Sequence, residues 1–351
     1  MKDISNIDKN LVVKTAVDGL VYYNATNEPF SIHGLILPSE EVPFYTRIPN
    51  NIAKSVSEGV YNLNSSTAGG RIKFKTDSKT IAIKVKLSKI SWSSHFTLCG
   101  STGFDLYANG KYVNTFMPPK TMELEYSASR ELPDKSMREI TINFPTYSGV
   151  ESLEIGLEPD CKLQKSDGYK LSKPIVYYGS SITQGGCASR PGNTYQGHIE
   201  RRFNADYINL GWSGSAKGEN EMAHYIAGLD MSVFVYDYDY NAPSIEHLQN
   251  THERMFKIIR ESHPETPVIM MTIPHPYTTE KFAKRKEIIK QTYLNAKNSG
   301  DNNVYFIDGA KMMRVFGDDA ADSTTVDNCH PNDLGFMCMA KTVGDLLENI
   351  L

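Results

Sequence analysis

The chain has 351 residues, more than one ordinary hydrophobic core holds, so two domains are expected. Its 37 Lys and Arg against 41 Asp and Glu give a formal charge of −4 and a pI near 6.2, which argues against nucleic acid or an anionic membrane surface as partner and favours a neutral ligand. No apolar run approaches the ~20 residues of a membrane span, and Met1-Lys2-Asp3-Ile4-Ser5 opens no apolar leader, so the expectation is a cytoplasmic chain, or a secreted one whose signal has been removed.

Short alternating runs dominate the first half. Arg71-Ile72-Lys73-Phe74-Lys75 and Ile81-Ala82-Ile83-Lys84-Val85-Lys86-Leu87 have period two, the habit of antiparallel strands with one buried face. Further strand candidates are 106–108, 111–113, 139–144 and 152–157, and Asn109-Gly110 between two of them signals a tight hairpin. No convincing helical period appears. The expectation for residues 1–168 is a β-sandwich of jelly-roll type, a candidate substrate-binding domain. Trp92, His95 and Phe96 suit either sugar stacking from a loop or an ordinary core, and Arg47 either a site or a loop anchor.

The rhythm changes after Gln164-Lys165-Ser166-Asp167-Gly168, and residues 174–351 form the second expected domain. Apolar runs at 175–178, 207–210, 233–236, 268–272 and 304–307 alternate with helical stretches at 194–203, 220–227, 244–261, 279–298 and 332–349. Strand–helix alternation with continuous apolar strands predicts a five-stranded parallel sheet of flavodoxin-like order 2-1-3-4-5, hence an α/β domain after an all-β one.

In such a sheet the carboxyl ends share one edge, and the polar clusters that follow the strands meet there. Strand one runs into Gly179-Ser180-Ser181, strand two into Gly211-Trp212-Ser213-Gly214, and strand three into Asp237-Tyr238-Asp239-Tyr240-Asn241; Asp327-Asn328-Cys329-His330 precedes the last helix. Ser181 is the candidate nucleophile, His330 its base and Asp327 the carboxylate that orients the imidazole. The backbone N–H groups of Ser181 and Gly214 and the side-chain amide of Asn241 are the candidate oxyanion donors. Arg190, Trp212 and Tyr240 lie near the edge in sequence and suit either substrate contact or packing.

The five cysteines, Cys99, Cys161, Cys187, Cys329 and Cys338, are odd in number and sparse, against a disulfide framework or a zinc site. Cys187 and Cys329 are expected either as spatial neighbours beside the site or as two packed free thiols. No metal or cofactor is expected, because no His/Cys/Asp cluster has ligand spacing.

The blocks Gly179-Ser180-Ser181-Ile182, Gly214, Asn241 and Asp327-x-x-His330 together resemble the SGNH (GDSL-type) hydrolases, serine esterases and acylhydrolases on a flavodoxin-like sheet. Gly103-Phe104-Asp105-Leu106-Tyr107 resembles the Gly-x-Asp-Leu-Tyr signature of a β-sandwich preceding some of them. The chain departs from the pattern in lacking Asp before Ser181 and Gly before Asn241; Asp237 and Asp239 are read as structural. The resemblance implies an esterase removing small acyl groups, acetyl foremost, from carbohydrate, its substrate a small-molecule or oligosaccharide ester. The alternatives are an acylhydrolase or acyltransferase acting on a lipid or small metabolite, and a non-catalytic carbohydrate-binding protein. Oligomeric state is not legible.

Overall fold

A computed structural model describes residues 18–351. Residues 21–164 build two antiparallel sheets from β1 (Val21–Asn24), β2 (Ser31–His33), β3 (Arg71–Thr76), β4 (Thr80–Lys89), β5 (Phe104–Ala108), β6 (Lys111–Phe116), β7 (Glu125–Glu131), β8 (Arg138–Asn143), β9 (Gly149–Leu157) and β10 (Leu163–Gln164). One sheet has the order β1-β9-β4-β7; the other is β10-β3-β8-β5-β6, with β2 beside β3. The alternation in β4 sends Ile81, Ile83, Val85 and Leu87 into the core and leaves Lys84 and Lys86 exposed. Across the interior they meet Ile72, Phe74, Leu106, Ile140 and Ile142 from the other sheet, which closes the sandwich. The β5–β6 hairpin turns through Asn109 and Gly110 with φ of 49° and 73°, the left-handed pair its sequence signals.

The first half also carries helices, contrary to expectation: α1 (Asn50–Val56), α2 (Glu58–Leu63) and α3 (Leu98–Ser101). None is long enough to show a period. Each of α2 and α3 starts on a hydroxyl cap, Ser57 accepting from the Val60 N–H and Thr97 from the Gly100 N–H. Ile48, Ala53 and Val60 pack in the same buried cluster as Trp212, Met222 and Ala223 of the second half.

The second half is a parallel sheet of β11 (Ile175–Gly179), β12 (Tyr207–Gly211), β13 (Val233–Asp237), β14 (Val268–Met271) and β15 (Val304–Ile307), in the order β12-β11-β13-β14-β15. This is the expected flavodoxin-like order. Alternate strand residues feed two cores. Val176, Tyr178, Leu210, Phe234 and Tyr236 face α6 (Asn220–Ala227), α7 (Ile245–Ser262) and α8 (Glu280–Asn298). Ile175, Tyr177, Val233, Val235 and Ile269 face α5 (Tyr195–Phe203) and α11 (Asp333–Leu347). Short helices α4 (Ser181–Gln184), α9 (Gly309–Met312) and α10 (Asp318–Ala321) lie in the connections. Among the described residues no helix is long and apolar enough to cross a membrane.

Candidate active site

Gly179 ends β11 in register with Asp237 of the neighbouring strand β13, where there is no room for a side chain. A Cβ there would fall 1.9 Å from the Asp237 carboxylate and 2.2 Å from the Thr183 hydroxyl. Ser180 then caps α4, accepting from the Ile182 N–H, and Ser181 becomes its first residue with its own N–H unspent inside the helix.

His330 arrives from the other side of the edge. In the turn before α11, Asn328 is left-handed (φ 61°) and the Val326 N–H closes on the His330 carbonyl at 2.9 Å. Asp327 Oδ1 accepts the backbone N–H groups of Cys329 (3.1 Å) and His330 (2.7 Å), and Oδ2 faces His330 Nδ1 at 2.8 Å. Asn332 caps α11 behind them. The other imidazole nitrogen, Nε2, lies 2.9 Å from Ser181 Oγ. Ser181, His330 and Asp327 are thus joined in one continuous hydrogen-bonded relay. Burial disfavours the imidazolium, but the Cys329 side chain and the Asp327 carboxylate beside it outweigh that and raise His330 to about 9. Desolvation works against the Asp327 carboxylate too, yet the hydrogen bonds from His330 hold it below its ordinary range.

The oxyanion candidates are tied to one another. The Trp212 N–H reaches the Gly179 carbonyl (2.8 Å), and the Ser213 N–H reaches Gln184 Oε1 at the end of α4 (3.0 Å). Asn241 Nδ2 donates to the Trp212 carbonyl at 2.8 Å, which leaves its second amide hydrogen for another acceptor. Among the described residues no acceptor takes the N–H of Ser181 or Gly214. Gly214 has φ +65°, and a Cβ on it would meet nothing within 4 Å, so the turn needs glycine for its backbone angle.

Two expected substrate contacts are corrected. Arg190 points away, into an ion pair with the fully buried Asp105 (2.9 Å), bonds Tyr107 and stacks on Tyr112. Trp212 is fully buried, with the Arg47 guanidinium 3.8 Å over its ring. Arg47 itself anchors the two halves, donating to the carbonyls of Gly211 and Leu63. Tyr240 does stay partly exposed, within hydrogen-bonding reach of Cys329. Asp237 and Asp239 are buried and apart from the relay: Asp237 accepts from Thr183, and Asp239 accepts the Ile273 N–H while its backbone carbonyl binds Arg285.

Sequence reasoning missed two neighbours, His275 and Tyr147, and did not place a third, His95, beside the relay. His275, after β14, uses Nε2 to hold the Asn328 carbonyl (3.0 Å) and so steadies the Asp327–His330 turn. It belongs to the polar segment following strand four, the same signal that marked the other strand ends. Tyr147, from the sandwich, hydrogen-bonds the Ser181 carbonyl at 3.4 Å and packs on Phe96, ring centroids 4.4 Å apart. His95 of that same sandwich loop lies 5.2 Å, ring to ring, from His330. Neither contact has a local signature. The loop residue Trp92 is 64% exposed, which fits a stacking surface better than a core.

Cys187 and Cys329 both flank His330. Burial, then Asp327 and Cys329, push the Cys187 thiol up to about 12. The fold also gathers possible metal ligands that linear spacing did not reveal, His95 with Cys187 and His330, and Asp327 with Cys329 and His330.

Residues 172–348 match the GDSL-like Lipase/Acylhydrolase family, and residues 20–163 match the Gly-x-Asp-Leu-Tyr N-terminus of esterases of the SGNH-hydrolase type. No curated protein matches the sequence. Among solved structures, a chain of Bacteroides ovatus ATCC 8483 described as a GDSL-like lipase is 28% identical with a TM-score of 0.81, over 94% of this chain and 98% of that one. A salicylyl-acyltransferase from a tetracycline biosynthetic pathway is 19% identical with a TM-score of 0.78, over 96% and 99% of the two chains. An acetyl xylan esterase of the rumen bacterium Butyrivibrio proteoclasticus is 13% identical with a TM-score of 0.61, over 94% and 98%. The last two are likenesses of fold.

Proposed function

Since the chain belongs to the GDSL-like lipase/acylhydrolase family, we propose that it is a serine esterase releasing small acyl groups, acetyl foremost, from carbohydrate through an acyl-enzyme on Ser181. The observation that carries this is the unbroken relay from Ser181 Oγ through both nitrogens of His330 to Asp327, at 2.9 and 2.8 Å.

His330 takes the Ser181 proton as Oγ attacks the ester carbonyl carbon. Charge moves to the former carbonyl oxygen and meets the N–H groups of Ser181 and Gly214 and the free amide hydrogen of Asn241. Asp327 stabilises the imidazolium that forms. Collapse of the intermediate breaks the bond to the sugar oxygen, which leaves with the proton from His330. Water, deprotonated by His330, then attacks the acyl-serine; acetate departs and Ser181 regains its proton.

Two features support a sugar ester with a short acyl group. The exposed Trp92 stands three residues before His95, at most about 10 Å of extended chain away, and His95 lies beside His330, so the loop that borders the relay also carries a stacking face. Ser181 itself is only 6% exposed, beneath Tyr147, which favours a small acyl group. The same burial supports a second reading, in which an alcohol replaces water in the second step and the protein is an acyltransferase.

Acetate release from acetylated xylo-oligosaccharides and from p-nitrophenyl acetate, with and without an acceptor alcohol, tests both readings. Wild type is expected to release acetate and Ser181→Ala to lose at least about 10³-fold of that rate. Equal release by the variant sinks the mechanism. Sugar binding without turnover by wild type would leave a binding protein instead.

A further inference from the structure

Two imidazoles and a thiol from three distant stretches of chain meet beside Ser181. One donor atom from each of His95, Cys187 and His330 lies within 4.8 Å of the other two, and Asp327 and Cys329 make an overlapping group with His330 within the same limit. His95 is oriented for ligation. Its Nδ1 is 2.9 Å from the Ser93 hydroxyl, while Nε2 faces the relay, 3.9 Å from Asp327 Oδ2. A metal-binding histidine is typically held this way, one nitrogen supported and the other bare. The ester mechanism uses neither His95 nor Cys187.

The donor set is soft, nitrogen and sulfur, which suits zinc and not the hard, oxygen-seeking Mg²⁺ or Ca²⁺. Tetrahedral zinc, with bonds of about 2.0–2.3 Å, needs its donors roughly 3.3–3.7 Å apart. The cluster must therefore contract by about 1.5 Å at most from its observed limit of 4.8 Å, within the reach of side-chain torsions. The Asp327 carboxylate, 2.8 Å from His330 and 3.9 Å from His95, supplies negative charge that favours a dication there.

We propose that His95, Cys187 and His330 form a binding site for a zinc-class divalent cation, and that filling it withdraws His330 from the Ser181 relay and arrests the esterase. Binding exchanges the Cys187 thiol proton, released to solvent, for a metal–sulfur bond. On Nε2 of His330 the metal takes the lone pair that accepts the Ser181 proton; on Nδ1 it leaves the ring proton on Nε2, which then cannot accept another. The arrest rests on the esterase reading; the binding does not.

The test uses the full chain after chelator treatment. Co²⁺ titration reads the thiolate-to-cobalt charge-transfer band, and Zn²⁺ titration reads p-nitrophenyl acetate hydrolysis, each protein referred to its own metal-free rate. Wild type is expected to show the band and to lose activity as Zn²⁺ is added. Cys187→Ser is expected to lose the band, and both Cys187→Ser and His95→Gln to need about tenfold or more Zn²⁺ for half inhibition. The absence of a band in wild type, its survival in Cys187→Ser, or one Zn²⁺ response shared by all three proteins would overturn the proposal. If wild type hydrolyses no ester, the esterase reading fails while the cobalt band still decides the site.

Discussion

Asn241 gives one amide hydrogen to the Trp212 carbonyl, and in the proposed mechanism the other meets the oxyanion. The hydrogen bond it offers strengthens as charge builds on the ester oxygen, so its loss falls on the chemical step. Asn241→Ala is expected to lower kcat by about 10²–10³ with KM little changed, a split that steady-state kinetics on p-nitrophenyl acetate reads directly. An effect on KM alone would remove Asn241 from the oxyanion site. A parallel sheet brings its strand ends to one edge, which is why Ser181, Gly214, Asn241 and His330 could be grouped as one candidate site without any contact being known. Side-chain direction was not legible. Arg190 and Trp212 sit near the edge in sequence, yet one turns to the buried Asp105 and the other into the core. His95 and Tyr147 reach the site from the sandwich, across a sequence distance no pattern bridges.

At the end of β13, Asp237 is fitted between Gly179 and Thr183 and is 4% exposed. Desolvation is the larger influence on it, partly offset by the Thr183 hydrogen bond, and its carboxyl is raised well above the ordinary value. A carboxyl raised in the folded state contributes its full stability below the unfolded pKa of about 3.9 and loses it as pH climbs toward the folded value. This one group therefore lowers unfolding stability by about 1.4 kcal/mol per pH unit across that window. Urea unfolding at pH 5 and pH 7 is expected to show the loss in wild type and a flatter profile in Asp237→Asn; parallel profiles would place an ionised carboxylate at β13. The long elements were legible through their period, and the Asn109-Gly110 hairpin through its turn chemistry. The helices at 50–56, 58–63 and 98–101 were not, because none is long enough for a period to register. Short edge strands such as β2 carry too few residues to alternate.

Buried polar ties join the sandwich to the parallel sheet. Arg71 of β3 reaches Asp206 and the Tyr207 carbonyl (3.0 Å), and Asp105 of the Gly-x-Asp-Leu-Tyr stretch takes both Arg190 (2.9 Å) and the Gly192 N–H (2.8 Å). Residues 48–63 go further and lend apolar side chains to the second half's core. The two halves are accordingly expected to unfold in one calorimetric transition. Arg190→Met, which leaves Asp105 buried without its partner, is expected to cost about 3 kcal/mol or more; two separate transitions, or no loss, would make the halves independent. This dependence could not be read from the composition break near residue 168, which marks where one pattern ends and not what packs on what. It also places Tyr147 against the Ser181 carbonyl and His95 beside His330, so the candidate site draws on both halves. The most direct test of that site is covalent labelling with a fluorophosphonate, read by intact mass and peptide mapping. One adduct on Ser181, absent from both Ser181→Ala and His330→Ala, is the predicted result; labelling at another residue, or unchanged labelling of either variant, would contradict the account.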